Sequence, residues 1–147
     1  MTSYRSAVAS WCLAIGSVFF AFLIFEGACR LIVDDGMHYH LEMWKYATAL
    51  KEISEDPEIG HQHVPDSHAR LMGVDVKINA DGLRDDPVVA SPRGLRILML
   101  GDSVTFGWGI PQSETMAARV ERALEERLRR PVDVINAGVG NYNTAME

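Results

Sequence analysis

The stretch from Arg96 to Gly140 constrains the fold more than any other part of this chain, because two apolar runs enclose one amphipathic segment. Ile97–Leu100 is continuously apolar, as expected of a parallel strand that is buried on both faces. A second apolar run begins at Val132 and enters a glycine-rich loop that reaches Gly140. Strand, helix and strand in this order predict one βαβ unit, whose crossover connection is expected to be right-handed.

The segment between the two strands has the pattern of a helix from Ser113 to Arg130. Its main apolar residues recur every four positions, which places them near one side of a helix. Ser113 is the expected N-cap, and Pro131 ends the segment. Pairs of opposite charge four positions apart lie near its carboxyl end and are expected to stabilise it. The apolar residues are Met116, Val120, Leu124 and Leu128, and the charge pairs are Glu125 with Arg129 and Glu126 with Arg130.

The first strand leads directly into the tripeptide Gly101-Asp102-Ser103. Ligands of open α/β sheets bind in the crevice outside the carboxyl ends of the strands. Gly101 permits a tight turn at this point, so the Ser103 hydroxyl is expected to project into that crevice. The position of Ser103 is therefore suited to a nucleophile.

Two blocks of this unit resemble signature blocks of the SGNH/GDSL hydrolase superfamily. Gly101–Gly107, with the sequence Gly-Asp-Ser-Val-Thr-Phe-Gly, resembles the first block, and Asn136–Thr144 resembles the second. Ile78–Asp85 is similar to the segment that precedes the domain in membrane-anchored bacterial members. Two blocks in order, each after an apolar strand, are a much more specific signal than a lone Gly-Asp-Ser tripeptide.

The resemblance implies roles for three residues. Ser103 stands where the family has its nucleophile, whose backbone N–H also helps to bind the oxyanion. Asn141 stands where most members have the glycine that supplies a second backbone N–H, and asparagine adopts the left-handed conformation more readily than most residues. Asp102 contributes to the structure of the site. Because this chemistry uses side chains and backbone donors, the resemblance implies no cofactor and no metal ion.

The activity that the resemblance implies is hydrolysis of an acyl ester of unidentified structure, or transfer of the acyl group to a hydroxyl as in an O-acyltransferase. The implied fold is a three-layer α/β/α, flavodoxin-like parallel sheet, of which this chain contains a part. The family's later asparagine and Asp-x-x-His blocks have no counterpart in the 147 residues, and no histidine follows Ser103. Because a serine nucleophile needs a base, we expect a truncated serine esterase that is inactive by itself. A membrane-anchored interaction module without catalysis is the alternative.

The N-terminal part predicts a membrane anchor. No charged residue occurs from Ala7 to Phe25, and about 20 apolar residues span the hydrocarbon core of a bilayer as a helix. A cleaved signal peptide is the alternative, but the residues after Glu26 are a poor cleavage context. We expect a single-pass membrane protein that contacts the membrane through residues 7–25. The short tail ahead of Arg5 favours a soluble part outside the cytoplasm, in the periplasm.

The chain is expected to have three segments: a tail and transmembrane anchor (1–33), a membrane-proximal part (34–95) and an incomplete SGNH hydrolase domain (96–147). In the middle segment, Asp34–Gly36 is expected to break the first helix and Tyr39–Ile53 to form a second. Residues 60–73 have the composition of a loop, and Val74–Ile78 alternates like a half-buried strand. The apolar residues expected near one side of the second helix are Leu41, Trp44, Ala47 and Leu50.

Three histidines lie close together in the expected loop: His61, His63 and His68. A metal site is one interpretation of them, because imidazole is a common metal ligand. Their spacing matches no well-known zinc pattern and no cysteine accompanies them, so solvated loop histidines are the favoured interpretation. A net charge of −6 argues against nucleic acid as a partner, since phosphate binding needs a basic surface.

The size of the soluble part also has a consequence for its stability. Two parallel strands and one helix leave one face of the sheet bare, whereas parallel sheets are stable when both faces are covered. We therefore expect residues 34–147 to unfold without sharp cooperativity, or to aggregate, when they are separated from the anchor.

Overall fold

A computed structural model describes residues 2–33, 37–90 and 94–146, with side chains from Val8 onward. The chain is a mixed α/β protein with small sheets, one parallel strand pair and an apolar N-terminal helix. It divides into two compact units between His38 and Tyr39.

In the first unit, the described residues form one helix, α1 (Thr2–Ile32). Its stretch Val8–Ile32 is 25 residues long with a mean hydropathy of 2.3, and the most apolar part of this stretch is not buried. By length and composition it is able to cross a membrane, and a signal sequence would have the same properties. Arg30 and Glu26 form an ion pair of 2.8 Å one turn apart. The predicted helix break at Asp34–Gly36 lies outside the described residues.

The second unit begins with helix α2 (Tyr39–Ala49), which is followed by two short hairpins. Strands β1 (Lys51–Ile53) and β2 (His61–His63) are antiparallel, as are β3 (His68–Leu71) and β4 (Val74–Lys77).

Two expectations for this region are wrong. The helix predicted to reach Ile53 ends at Ala49, and residues 60–73 contain two strands and not only a loop. These strands are three or four residues long, too short for an alternating pattern to be recognised in the sequence. The buried side of α2 also differs from the prediction, because Trp44 is 64% exposed while Glu42 and Tyr46 are buried.

The remainder of the second unit is the βαβ unit. Strand β5 (Leu95–Gly101) is followed by a one-turn helix α3 (Ser103–Phe106), a 3-10 turn, helix α4 (Met116–Leu128) and strand β6 (Val132–Gly138). Strands β5 and β6 pair in parallel, from Leu95 opposite Val132 to Gly101 opposite Gly138. The prediction of a parallel strand–helix–strand unit is therefore confirmed.

Helix α4 differs from its prediction in its cap and its charge pairs. Thr115, not Ser113, is the N-cap, and its hydroxyl accepts a hydrogen bond from the Ala118 amide at 3.4 Å. Neither predicted Glu–Arg pair near its carboxyl end forms among the described residues. Glu125 instead accepts a hydrogen bond from the backbone of Val132. The carboxylate therefore stabilises the adjacent strand and not the helix surface.

Two apolar cores stabilise the second unit. The larger lies between α2, the β3–β4 hairpin and α3, and its buried residues are Tyr46, Leu50, Leu71, Val76, Ile78 and Phe106. In the smaller core, α4 packs on one face of the parallel pair. Ala117 of α4 and Val132 and Val134 of β6 are its buried residues, with Val120 and Leu124 of α4 beside them. On the other face, Leu98 and Leu100 are 57% and 50% exposed.

The two outer edges of the parallel pair are different. The Leu95 amide donates to the Pro131 carbonyl, and the Val139 amide donates to the Gly101 carbonyl. Because every second residue of a strand bonds to its parallel partner, the remaining amides of β5 and β6 point outward. The outward amides of β6 donate to carboxylates: Val132 to Glu125 (3.2 Å), Val134 to Glu121 (2.8 Å) and Asn136 to Asp85 (2.7 Å). On β5 the outward amides belong to Arg96, Leu98 and Leu100, and none has a partner among the described residues.

Candidate functional site

The carboxyl ends of β5 and β6 bring together the two loops that the sequence singled out. Gly101 and Gly138 are opposite one another in register, and the Val139 amide donates to the Gly101 carbonyl at 2.9 Å. Ser103 follows β5 by two residues and Asn141 follows β6 by three. Both residues therefore leave the same edge of the sheet, the edge at which α/β proteins bind their ligands.

Ser103 begins the one-turn helix α3, and Asp102 is its N-cap. The Asp102 carboxylate accepts a hydrogen bond from the Val104 amide at 2.8 Å, which stabilises the turn that presents the serine. The hydroxyl and the backbone N–H of Ser103 have no hydrogen-bond partner among the residues that the structure describes. Both groups of the half-buried serine are therefore free to contact a ligand.

The turn that carries Ser103 packs closely on the end of β6. A Cβ atom at Gly138 would lie 2.2 Å from the amide nitrogen of Phe106, so only glycine allows α3 to approach β6 in this way. This contact fixes the spacing between the turn that carries Ser103 and the loop that follows Gly138.

Arg84 holds the carboxyl end of α3 from the opposite side. Its buried guanidinium donates to the carbonyls of Phe106 (2.9 Å), Gly107 (2.6 Å) and Ile110 (2.5 Å). Burial lowers the pKa of Arg84 to about 10. The adjacent Asp85 accepts the Asn136 amide, and burial raises its pKa above the ordinary value. Two consecutive residues thus connect the segment before β5 to the end of α3 and to β6.

The Gly140 amide belongs to a chain of three hydrogen bonds, two of which are buried. It donates to the Tyr46 hydroxyl at 2.8 Å, and that hydroxyl lies 2.7 Å from Nε2 of His63. Nδ1 of His63 lies 3.0 Å from the Gly82 carbonyl, which can only accept, so Nδ1 carries the proton and Nε2 accepts from Tyr46. Burial lowers the pKa of His63 to about 4 and raises that of Tyr46, so both are neutral at pH 7.

The Gly140 carbonyl lies against two side chains from the first hairpin of the second unit, and Lys51 is its hydrogen-bond donor, because Nε2 of His61 also lies 3.0 Å from the Lys51 ammonium. The Lys51 ammonium donates to this carbonyl, and Nε2 of His61 lies 3.2 Å from it. Lys51 also donates to the Asn141 side-chain oxygen at 3.4 Å, and burial lowers its pKa to about 8. Asn141 has a φ of 72°. Its backbone N–H has no hydrogen-bond partner among the described residues.

No base is in place beside the serine in the described part of the chain. No histidine or carboxylate there hydrogen-bonds to the Ser103 hydroxyl. Both ring nitrogens of His63 are occupied, His61 contacts the Gly140 carbonyl, and His68 is exposed on β3. Nor do the described residues contain a group of three or more potential metal ligands.

Sequence reasoning missed Tyr46, Lys51 and Arg84. Tyr46 and Lys51 lie in segments that carry no motif for the site, and the contacts of all three join residues that are far apart in sequence. Tyr46 and Gly140 are 94 positions apart, Lys51 and Gly140 are 89 apart, and Arg84 and Phe106 are 22 apart. No local pattern reports such pairs, and only the Ile78–Asp85 resemblance drew attention to the segment of Arg84.

Comparison of the chain with models of known protein families, with curated proteins and with solved structures finds no match. The interpretation of the site therefore depends on its own geometry and on the two sequence blocks that form it.

Proposed function

We propose that the second unit is the nucleophile-bearing part of a serine ester hydrolase of the SGNH/GDSL superfamily. The observation that carries this proposal is the arrangement at the carboxyl end of the parallel pair. Ser103 has an unpartnered hydroxyl on a capped turn, and the unpartnered N–H groups of Ser103 and Asn141 leave the same sheet edge.

In the proposed reaction, the Ser103 hydroxyl attacks the carbonyl carbon of an acyl ester and the alcohol leaves. The N–H groups of Ser103 and Asn141 donate to the oxyanion of the tetrahedral intermediate, and such preorganised donors are a large part of catalysis by this class of enzyme. Water then releases the acyl group. Transfer of the acyl group to a hydroxyl would use the same groups, so O-acyl transfer is the alternative outcome.

The proposal includes a larger, three-layer α/β/α sheet of the flavodoxin-like type. The difference between the two edges supports this part of it. Carboxylates already bind the outward amides of β6, whereas the outward amides of β5 are without partners among the described residues. We infer that further strands add beside β5 and that the base and a third oxyanion donor come with them.

We propose a location for the chain that the apolar stretch of α1 supports. Its apolar stretch Val8–Ile32 acts as a membrane anchor, and the second unit lies outside the cytoplasm, in the periplasm of a bacterial cell.

The experiment that tests the proposal has two steps. The coding DNA is sequenced through and beyond codon 147, and we expect a continuation, in frame or after a single frameshift, that encodes an asparagine block and an Asp-x-x-His. The encoded product and the 147-residue chain are then compared in the hydrolysis of p-nitrophenyl acetate, each with its Ser103→Ala variant.

We expect the longer product to lose activity by several orders of magnitude in Ser103→Ala. The 147-residue chain, which lacks the base, should hydrolyse the ester no faster than its own Ser103→Ala variant. Hydrolysis by the longer product that does not depend on Ser103, or a continuation without a histidine, would contradict the proposal.

The free edge of β5 supports a second candidate, a membrane-anchored interaction module without catalysis. Its unpaired amides lie beside Leu98 and Leu100, which are about half exposed, and edges of this kind bind extended peptide segments. A stoichiometric partner that is retained equally by the wild type and by Ser103→Ala in a pull-down would favour this candidate.

A further inference from the structure

Gly140 is held at both of its backbone polar groups. Its N–H donates to the Tyr46 hydroxyl, and its carbonyl accepts from Lys51. These two groups belong to consecutive peptide units, and the Gly140 carbonyl shares its planar unit with the Asn141 N–H. Lys51 of β1 therefore holds the unit that carries the Asn141 N–H, and Tyr46 of α2 holds the unit before it.

The side chain of Tyr46 contacts both loops of the site. Its ring packs against Phe106, at the end of the helix that begins with Ser103, with ring centroids 5.1 Å apart. Its hydroxyl holds Gly140 in the other loop. A Cβ atom at Gly140 would lie 2.7 Å from Cε1 of Tyr46, which shows how closely the loop approaches the ring. One fully buried residue thus lies between the turn of the serine and the loop of Asn141.

The Tyr46 hydroxyl is itself held in one orientation. Nδ1 of His63 donates to Gly82, so Nε2 accepts the hydroxyl proton and leaves the oxygen lone pairs toward the Gly140 amide. The whole chain of donors and acceptors is satisfied and mostly buried, and networks of this kind fix one geometry. His63 therefore acts on the loop through Tyr46.

We propose that Tyr46, oriented by His63, is a positioning residue that directs the Asn141 N–H toward the oxyanion formed at Ser103. The inference rests on the proposed function and adds to it a device from outside the two signature blocks. Because the Gly140 N–H is already bonded to Tyr46, it is not an oxyanion donor, and the neighbouring Asn141 N–H takes that role.

The test compares Tyr46→Phe, which removes only the hydroxyl, with Tyr39→Phe as the control. Tyr39 lies on the same helix and is 55% exposed. In the full 147-residue chain in detergent micelles, we expect the Gly140 amide to exchange with solvent about tenfold faster in Tyr46→Phe. The Val134 amide, which lies far along β6, serves as the folding control and should be unchanged. The 15N signal of His63 Nε2 should also shift in Tyr46→Phe, because it loses its donor.

The kinetic measurement uses the Ser103-dependent longer product of the same gene. There, Tyr46→Phe should lower kcat about tenfold and leave KM unchanged, because only the stabilisation of the oxyanion is weakened. Tyr39→Phe should change neither constant.

The outcomes separate this inference from the proposed function. If the wild type hydrolyses esters through Ser103 but Tyr46→Phe has the wild-type kcat, Tyr46 does not position the donor and the proposed function stands. Unchanged exchange at Gly140 in Tyr46→Phe would also overturn the inference. If no product shows Ser103-dependent hydrolysis, both proposals fail, and faster exchange at Gly140 then reports a structural hydrogen bond alone.

Discussion

Arg84 shows how one side chain can determine the geometry of a whole turn. It is 1% exposed and binds three carbonyls at and just after the end of α3, and none of its hydrogen-bond partners among the described residues is a carboxylate. A helix carbonyl that is buried without a donor costs free energy, so the charge of Arg84 is needed where it lies.

Replacement of Arg84 by methionine should therefore strongly destabilise the second unit. It leaves three carbonyls without their donor, and we expect the free energy of opening to fall by about 3 kcal/mol. Native-state hydrogen exchange at the Phe106 amide, measured on the full chain in micelles, would report this loss. The matched control is Arg70→Met, since Arg70 is an exposed partner of Asp75 and should contribute less than about 0.5 kcal/mol. Equal effects of the two substitutions would contradict the role assigned to Arg84.

His63 gives the second unit a defined dependence on pH. Burial lowers its pKa from 6.5 to about 4, so between these values the unfolded chain binds more protons than the folded one. The contribution of neutral His63 to the free energy of unfolding should be fully present above pH 6.5. It should decrease as the pH falls toward 4, by roughly 3 kcal/mol in total. Exchange of the Gly140 amide between pH 7 and 4 would measure this after correction for the intrinsic rate. The substitution His68→Gln, at an exposed site, should leave the dependence of the opening free energy on pH unchanged, and His63→Gln should reduce it. An unchanged dependence in His63→Gln would rule out this assignment.

The length of each helix or strand determines whether the sequence predicts it. Helix α4 and strands β5 and β6 were predicted because long segments repeat their pattern and carry stop signals such as Pro131. Strands of three or four residues, such as β1 and β2, do not repeat any pattern, and the structure forms them through hairpin partners. The same reason explains the site: Ser103 and Asn141 belong to local motifs, while Tyr46 reaches Gly140 from 94 positions away.

Glu125 was expected to pair with Arg129, but the structure places it, together with Glu121, against the outward edge of β6. Their carboxylates accept the outward amides of Val134 and Val132, so α4 completes the hydrogen bonding of its neighbouring strand. A strand edge whose amides are occupied in this way offers little for another strand to pair with.

Glu121→Ala should therefore loosen β6 locally. The Val134 amide loses its acceptor, and we expect its opening free energy to fall by about 1–2 kcal/mol. Hydrogen exchange resolved by NMR would show faster exchange at Val134, while the Asn136 amide, which is bonded to Asp85, keeps its rate. Glu126→Ala removes the same charge from an exposed position of the same helix and should leave Val134 unchanged. Equal exchange in the two variants would mean that the carboxylate contact does not protect the strand.

For the second unit as a whole, the distribution of apolar surface determines its behaviour in solution. One face of the β5–β6 pair is covered by α4, and on the other face Leu98 and Leu100 are about half exposed beside the unpaired amides of β5. Exposed leucines on a free strand edge are a recognised cause of aggregation. The larger core around Tyr46 lies elsewhere in the unit and covers neither residue.

Residues 34–147 should accordingly melt broadly or aggregate when they are produced without α1, and lysine at both Leu98 and Leu100 should suppress the aggregation. The two charges repel other chains at the free edge, and neither leucine belongs to the buried cores, so the loss of stability should stay below about 1 kcal/mol. Light scattering during heating and thermal melts by circular dichroism would measure both effects. The control is lysine at Ile53 and Val89, which are 88% and 64% exposed and lie off the β5 edge. If this control suppresses scattering equally, net charge is the cause. A sharp two-state melt of the unmodified segment would show that the bare sheet face does not destabilise it.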